Sequence, residues 1–336
     1  MRVMGSRLCC LACIPLALVC QSADRGRANW PPKLGVKTPG VQIPIASLKA
    51  DAEVVLPSQA GALLISEVVY VASYTKDQLL PVNAKTNKLE EPISGFRQPC
   101  ATLLNAFGSV WTPNCQNQTV SRFDTKEKKI TTSIPLAIVE GSQSLAASGD
   151  SVWALTDERT TLTRLDPDEN KIVAETRLPA GCTSVLFAEN SLWVACPKED
   201  KVLRLNPNTN LVMKRIDVAG QPAALTFGEG TVWALTRTEG KVVRIDPKTD
   251  KVTATIELKA PAPTGSLVFN EGFTWVSIPG FPISRIDPTT DKVMQQFTGD
   301  GGGSIYAGSG SIWLTNLKPN TLSRFDPKRI KATLAD

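Results

Sequence analysis

Residues 231–252 read TVWALTRTEGKVVRIDPKTDKV, and this stretch contains the unit that the whole chain repeats. An aromatic residue takes the position of its tryptophan seven times, at intervals of 38 to 42 residues: Tyr70, Trp111, Trp153, Trp193, Trp233, Trp275 and Trp313. A second signature follows each tryptophan: Arg122-Phe-Asp, Arg164-Leu-Asp-Pro, Arg204-Leu-Asn-Pro, Arg244-Ile-Asp-Pro, Arg285-Ile-Asp-Pro and Arg324-Phe-Asp-Pro. Seven similar units therefore fill roughly residues 52–334.

Each unit predicts four short β-strands. In residues 143–178, strand-like segments at 143–148, 151–156, 161–165 and 172–178 are separated by turn residues such as Gly149-Asp150. A four-stranded unit that recurs about every 41 residues is typical of a propeller blade. The sequence therefore predicts an all-β fold, a seven-bladed β-propeller of four-stranded antiparallel blades.

The ring has to close, because open sheet edges invite unwanted pairing. Residues 52–57 resemble a fourth strand such as residues 251–256, although they precede the first inner strand at residues 61–65. We predict that this N-terminal strand pairs onto the last blade, next to the C-terminal stretch 330–334.

The N-terminal residues predict export. Arg2 and Arg7 flank the start of a short apolar run at residues 8–19, which is the pattern of a signal peptide and too short for a stable membrane anchor. We expect a signal peptide at 1–22, a linker or arm at 23–50, and the propeller at 51–336. The expected location is periplasmic or extracellular, and the alternative is a lipoprotein anchored at Cys20.

Composition limits the chemistry. The chain has no histidine, which excludes histidine-based acid–base catalysis, histidine-activated nucleophiles and histidine-ligated metals. The formal net charge is +5, and the basic residues are spread over the repeats as on a solvated surface. We expect no nucleic-acid partner, no transmembrane segment and a monomer.

Four cysteines lie beyond the predicted signal peptide, and the hairpin register pairs them. Opposed residues of an antiparallel pair share a constant index sum. Turns at residues 107–108 and 189–190 then place Cys100 across from Cys115, and Cys182 within one residue of Cys196. We predict disulfides Cys100–Cys115 and Cys182–Cys196. A zinc site is the alternative, but it would need thiolates from two separated blades.

The repeated residues have structural interpretations. Aspartate followed by proline, as at Asp166-Pro167, favours a turn, and it lacks the spaced acidic ligands of a calcium loop. One tryptophan at a fixed strand position in each unit indicates packing between neighbouring sheets.

Candidate ligand-binding residues lie on the loops around one mouth of the central channel. The starts of the seven inner strands carry small and hydroxyl side chains, with no acid or base among them. The Gly-rich segment 299–304 also reaches this mouth, but it lacks the lysine and spacing of a phosphate-binding loop. We predict no catalytic residue, no metal site and no cofactor. The candidates for ligand binding are Asn114, Glu140, Gln143, Asp157, Arg159, Arg237, Asp300 and Asn316.

The repeat resembles a bacterial propeller family. Thr231-Val-Trp233 with residues 243–252, and Trp275 with residues 285–293, are similar to the units of virginiamycin B (streptogramin) lyases and of YncE-like YVTN repeat proteins. The lyase resemblance implies elimination chemistry on a cyclic depsipeptide, with a catalytic histidine and a glutamate-held magnesium ion. No catalytic residue can be carried over, since this chain has no histidine. The YncE-like resemblance implies a secreted binding propeller.

Three functional hypotheses remain open at the level of sequence. The first is an exported, non-enzymatic propeller that binds a protein, a polysaccharide or a small polar molecule on its loop face. The second is a carboxylate- and metal-dependent lyase or hydrolase, including a virginiamycin B lyase-like enzyme. The third is a single-stranded nucleic-acid binder, for which Phe96 beside Arg97 offers a minimal aromatic and basic pair.

Overall fold

The computed structural model describes residues 42–100, 102–138, 143–157, 160–260, 262–316 and 319–333. All of them belong to one compact unit, Lys33–Asp336. The predicted signal peptide, Cys20 and most of the predicted arm lie outside the described residues.

The described residues form seven β-sheets, which are the seven predicted blades. Two strands precede the first blade, β1 (Gln42–Pro44) and β2 (Ala52–Val55). Blade 1 contains β3 (Ala60–Ile65), β4 (Val68–Ser73), β5 (Gln78–Asn83), β6 (Lys88–Leu89) and β7 (Ile93–Ser94), and both short strands pair with β5. Blade 2 contains β8 (Leu104–Ala106), β9 (Ser109–Asn114), β10 (Thr119–Asp124) and β11 (Lys129–Pro135). Blade 3 contains β12 (Leu145–Ala147), β13 (Val152–Thr156), β14 (Thr161–Asp166) and β15 (Lys171–Arg177).

The remaining blades repeat this order. Blade 4 contains β16 (Ser184–Ala188), β17 (Ser191–Cys196), β18 (Lys201–Asn206) and β19 (Leu211–Asp217). Blade 5 contains β20 (Pro222–Gly228), β21 (Thr231–Thr236), β22 (Lys241–Asp246) and β23 (Lys251–Glu257). Blade 6 contains β24 (Ser266–Asn270), β25 (Phe273–Ile278), β26 (Phe281–Asp287) and β27 (Lys292–Thr298). Blade 7 contains β28 (Ile305–Gly308), β29 (Ser311–Asn316) and β30 (Thr321–Phe325). Two 3-10 turns, Ile45–Ser47 and Pro197–Glu199, and one helix, α1 (Pro327–Lys331), complete the described elements.

The ring closes as predicted. β2 pairs antiparallel with β30 and supplies the outer strand of blade 7, with Ala52 opposite Arg324 and Val55 opposite Thr321. The C-terminal stretch beside it is not extended but continues into α1, because the Asp326 side chain accepts the amide hydrogen of Lys328 and starts a helical turn. Arg329 of α1 forms an ion pair with Asp51 at 2.7 Å, which ties the start of the closing strand β2 to the C-terminal helix.

A further strand precedes the closing strand. β1 pairs in parallel with β27, the outer strand of blade 6, and Ile43 lies opposite Phe297. Both side chains are buried in one apolar cluster with Ile330 of α1. Blade 6 therefore has five strands, and its outer edge is covered by the chain itself.

The repeated tryptophans pack between blades, as predicted. All six are buried, and each contacts apolar residues of the next blade. Trp193 of blade 4 packs against Leu225 of blade 5, and Trp313 of blade 7 packs against Leu63 of blade 1. Burying one large aromatic at each boundary gives a sizeable share of the ring's apolar stabilisation.

The repeated arginine links five of the six described repeat tryptophans to the neighbouring blade. The Arg204 guanidinium lies over the Trp193 ring at 5.0 Å, and its Nε donates to the Ser191 hydroxyl at 3.0 Å. Its Nη1 crosses to blade 5, where it donates to the Pro247 carbonyl at 2.6 Å and to the Asp250 carboxylate at 2.7 Å. We call this set of bonds the arginine staple. Its stacking on the tryptophan and its bond to a backbone carbonyl of the next blade recur with Arg122, Arg164, Arg244 and Arg324. The Nε bond is absent at Arg244, and the bond to the fourth turn residue is absent at Arg164, among the described residues.

The arginine staple of blade 7 also closes the ring. Arg324 donates to the Ala84 carbonyl at 2.6 Å and to the Asn87 side chain at 3.0 Å, both in blade 1. The last blade is thus held to the first by the contact that also joins blades 2 to 6 in order.

The aspartate–proline motif forms the turn between the third and fourth strands. Asp166 Oδ1 accepts the amide hydrogens of Asp168 and Glu169 at 2.8 and 3.0 Å. These two bonds, of which that from Glu169 contributes most, lower the pKa of the Asp166 carboxyl. Asn206 accepts the same two amides in blade 4, at 2.8 and 3.2 Å. The turn interpretation is therefore confirmed, and the side-chain oxygen is its essential atom.

Removing one arginine staple should destabilise the protein measurably. We expect Arg204→Ala to lower the free energy of unfolding by about 2 kcal/mol, since it deletes a cation–π contact and charge-assisted bonds to blade 5. The measurement is the denaturant midpoint. Arg215→Ala is the matched control, because Arg215 is exposed on the outer strand of the same blade, and we expect a change within about 0.5 kcal/mol. Equal effects of the two variants would contradict the staple.

The turn aspartates should make the protein sensitive to acid. A lowered folded-state pKa means that Asp166 stabilises the fold above its unfolded pKa, and that this contribution disappears as the pH falls through the folded pKa. We expect Asp166→Asn to keep the turn, as Asn206 does, and to lose less stability than the wild type between about pH 5 and about pH 2. Denaturation midpoints across that range test this. Identical pH profiles for the two proteins would contradict it.

Candidate functional site

The two ends of the blades differ in what they carry. Because neighbouring strands of a blade are antiparallel, the turns after the first and third strands lie at one end, which we call the turn face. The connections after the second strand, and those leading to the next blade, lie at the other end, which we call the loop face. The arginine staples bond to turn-face segments, whereas the described candidates lie on the loop face: Asn114, Gln143, Asp157, Arg237, Asp300 and Asn316.

Small hydroxyl side chains link neighbouring inner strands near the channel mouth. Thr183 donates to the Ala223 carbonyl at 2.8 Å, from blade 4 to blade 5. Ser266 of blade 6 donates to the Ile305 carbonyl of blade 7 at 3.3 Å. The neutral residues noted in the sequence at this mouth thus hold the ring together from the inside.

Gln143 is the candidate whose side chain bonds to two other blades. Its side-chain Oε1 accepts from the Ser184 hydroxyl at 2.7 Å and from the Leu225 amide at 2.8 Å, so one residue of blade 3 bonds to blades 4 and 5. The Leu225 amide can only donate, which fixes the orientation of the glutamine amide. The two Nε2 hydrogens donate to no other described residue.

Asn114 and Asn316 have structural roles instead. Asn114 is 2% exposed, donates to Thr119 at 3.0 Å and to Ser121 at 2.7 Å, and accepts from the Arg97 amide. Asn316 makes the equivalent donations to Thr321 and Ser323 in blade 7, at 3.0 and 2.7 Å. Each asparagine fixes the hairpin between the second and third strands of its blade.

The charged candidates occupy separate loops. Asp157 is exposed on the blade 3 loop, where its carbonyl accepts from Thr160. Arg237 lies on the blade 5 loop, its amide donates to the Gly220 carbonyl at 2.9 Å, and its buried Nε has no hydrogen-bond partner. Asp300 is exposed on the connection to blade 7. Glu140 and Arg159 lie outside the described residues.

The structure does not join these candidates into one constellation. No hydrogen bond or ion pair within the described ranges connects any two of Asn114, Gln143, Asp157, Arg237 and Asn316. The described residues also contain no cluster of acidic or cysteine side chains arranged to hold a metal ion.

Both disulfides predicted from the hairpin register are present, on the loop side of blades 2 and 4. Cys100–Cys115 has a Cα–Cα distance of 5.9 Å, and Cys182–Cys196 closes the equivalent hairpin. In blade 4, Ser184 pairs with Ala195, which gives the index sum used to predict the pairing. Two covalent links therefore stiffen the loop face next to the channel mouth.

Sequence reasoning missed two aspartates that shape the loop face. Asp77 Oδ1 accepts the Gln98 amide at 2.6 Å, and Asp200 Oδ1 accepts the Gln221 amide at 2.7 Å. Both aspartates have positive φ, 53° and 50°, and each immediately precedes the third strand of its blade. Both aspartates take the same position before the third strand, and this repeated position could have identified them from the sequence.

The glycines of segment 299–304 allow close approach of backbones. A Cβ atom on Gly302 would lie 2.4 Å from the Ile278 carbonyl oxygen, and one on Gly303 would lie 2.4 Å from the Thr315 carbonyl oxygen. Any side chain would force the connection away from blades 6 and 7. Packing between these blades therefore accounts for the glycine content.

Solved structures share the fold. A streptogramin B lyase structure superposes with a TM-score of 0.70 and 17% identity, over 81% of this chain and 96% of that chain. Virginiamycin B lyase from Staphylococcus aureus, in a catalytically inactive histidine-to-alanine variant with quinupristin, gives 0.69 and 15% over 81% and 97%. BamB from Moraxella catarrhalis gives 0.60 and 11% over 82% and 99%.

Sequence comparisons add nothing to these structural likenesses. No protein-family model matches the chain, and no curated protein matches it. Within the described residues, no helix has the length and apolar character needed to cross a bilayer. At such low identity the structural matches establish the seven-bladed propeller fold alone.

Replacing Asn114 should affect stability through its buried bonds. We expect Asn114→Ala to lower the free energy of unfolding by about 2 kcal/mol, because the Arg97 amide loses its acceptor and the Thr119 and Ser121 hydroxyls each lose a donor. Chemical denaturation measures the change. Gln116→Ala is the control, since Gln116 is exposed on the same loop, and it should change stability by less than about 0.5 kcal/mol. A stable Asn114 variant would contradict the structural role.

Proposed function

We propose that this protein is an exported, non-enzymatic propeller that binds a polar partner on its loop face. The partner is a protein, a polysaccharide or a small polar molecule whose acceptor oxygens meet the channel mouth. The observation that carries this proposal is the channel mouth itself, where a fixed amide of Gln143 lies among hydroxyls that are already bonded between blades.

The residues at this mouth give little support for a catalytic function. General acid–base catalysis needs a titratable group within reach of the reacting atom, and the inner-strand starts carry none. The virginiamycin B lyase variant with one histidine replaced by alanine is described as catalytically inactive. This chain has no histidine at any position, so the shared fold does not bring the lyase reaction with it.

Export is supported by two separate observations. Stable disulfides form in oxidising compartments, and Cys100–Cys115 and Cys182–Cys196 are both bonded. The charged and apolar pattern of residues 1–22 has the form of a signal peptide. A rigid loop face also suits binding, because a preorganised surface loses less conformational entropy when a partner docks.

Cross-linking tests the binding face. The oxidised mature chain is cross-linked in an envelope or secreted extract of its own source, and the captured partner is identified by mass spectrometry. We expect one reproducible partner whose capture falls at least 5-fold with the double variant Asp157→Asn, Arg237→Ala. The matched control is Asp168→Asn on the turn face, which should leave capture unchanged. Capture that is equal in all three proteins would contradict the loop-face proposal.

An activity assay separates the binding protein from a lyase. We expect the purified oxidised chain, incubated with quinupristin and Mg²⁺, to leave the depsipeptide ring intact at enzyme concentrations that open it completely with a virginiamycin B lyase. Mass spectrometry distinguishes the closed and opened ring. Turnover that is abolished by loop-face substitutions would overturn the non-enzymatic proposal.

A further inference from the structure

Two of the seven joints between the described blades lack the arginine staple. At the joint between blades 1 and 2, Pro81 takes the arginine position, opposite Tyr70. At the joint between blades 6 and 7 the arginine is present as Arg285, but its Nε donates to Gln295 Oε1 at 2.5 Å within its own blade. Among the described residues, Arg285 bonds to no atom of blade 7. These two joints therefore depend on other contacts.

The joint between blades 6 and 7 is bridged by the N-terminal segment. β1 is the fifth strand of blade 6, and the chain continues through the turn Ile45–Ser47 to β2, the outer strand of blade 7. Ile43 of β1 and Leu48 after the turn are buried in one apolar cluster. The same cluster contains Phe297 of blade 6 and Ile312 of blade 7. The segment therefore packs against both blades and connects them.

The C-terminal helix adds a second connection across this joint. Gln295 in the outer strand of blade 6 is buried, and its Nε2 donates to the Ile330 carbonyl of α1 and to the Thr333 hydroxyl at 2.9 Å. Because α1 directly follows blade 7, these bonds join the two blades. Arg285 supports them, since it donates to the oxygen of the same side-chain amide and so turns the nitrogen towards α1.

These connections differ from a staple because they belong to segments near the chain ends. β1 pairs with blade 6 over three residues, and α1 has five residues. Segments of this kind open locally at a lower free energy than core strands do. Their release leaves β24 to β27 of blade 6 paired, and likewise β28 to β30 of blade 7. The two blades can therefore separate without the unfolding of either one.

We propose that β1 and α1 form a latch over the joint between blades 6 and 7, and that the ring opens at this joint when the latch detaches. Opening separates the inner strands β24 and β28, which are joined by the Ser266 hydroxyl and the Ile305 carbonyl at 3.3 Å. The latch thereby controls the shape of the central channel on this side. The inference follows from contacts between blades, so it does not depend on the proposed binding function.

Labelling of single introduced cysteines in the folded protein measures the opening. Ile312, the second residue of β29, is 1% exposed and lies at the joint between blades 6 and 7. Val232 has the same place in β21, is 0% exposed, and lies at the joint between blades 4 and 5, which Arg204 staples. In the oxidised mature chain, we expect Ile312→Cys to react with N-ethylmaleimide at least 10-fold faster than Val232→Cys. Equal rates would overturn the proposal.

A change in the latch separates its release from a general loss of stability. Ile43→Ala removes apolar contacts of β1, so we expect it to accelerate labelling of Ile312→Cys at least 10-fold and to leave the rate of Val232→Cys within 2-fold. Val55→Ala is the matched control, because Val55 is 73% exposed on β2, and it should change neither rate. Equal acceleration at both sites with Ile43→Ala would indicate general destabilisation and overturn the latch, as would an unchanged rate for Ile312→Cys.

Discussion

At five of the seven joints between the described blades, a single guanidinium group carries the connection from one blade to the next, and most of the architecture follows from what that group requires. It needs an aromatic face, which the repeated tryptophan provides. It needs a hydroxyl at the start of the second strand, as at Ser191, and a carbonyl in the next blade's turn, as at Pro247. The tryptophan, the arginine and the aspartate–proline turn are thus parts of one contact that repeats around the ring.

Because of this contact, the two ends of the molecule are stabilised in different ways. The turn face is occupied by staples and by turns whose geometry the staples demand. The loop face is free of that constraint, and its stability comes from local devices instead: the disulfides, Asn114 and Asn316, and the bonds of Gln143 across three blades. A surface held locally can vary in sequence without loosening the ring, which suits a binding role.

Much of the fold could be predicted because it depends on local sequence patterns. The period of the tryptophans predicts the blades, the proline turns predict strand ends, and a constant index sum across a turn predicts both disulfides. The closing role of residues 52–57 followed from their likeness to a fourth strand. The parallel pairing of Gln42–Pro44 with blade 6 had no such likeness to guide it, because three residues carry too little pattern.

The candidate site was less predictable, for a physical reason. A polar residue near a channel mouth has the same sequence signature whether it binds a ligand or satisfies the hydrogen-bonding groups of neighbouring residues. Asn114 proved to be buried and fully engaged, and Gln143 keeps only its amide donors. The arginine role was visible as a repeat but not as a contact, since its partners lie more than 40 residues away in the next unit.

The most direct test of the account is a double-mutant cycle between Arg204 and Asp250, measured by chemical denaturation of the wild type, Arg204→Ala, Asp250→Ala and the double variant. If the arginine staple stabilises the ring through this bond, the two substitutions should be non-additive, with a coupling energy of at least about 1 kcal/mol. Additivity within about 0.3 kcal/mol would show that the two groups lie close together without holding the blades, and it would contradict the central claim.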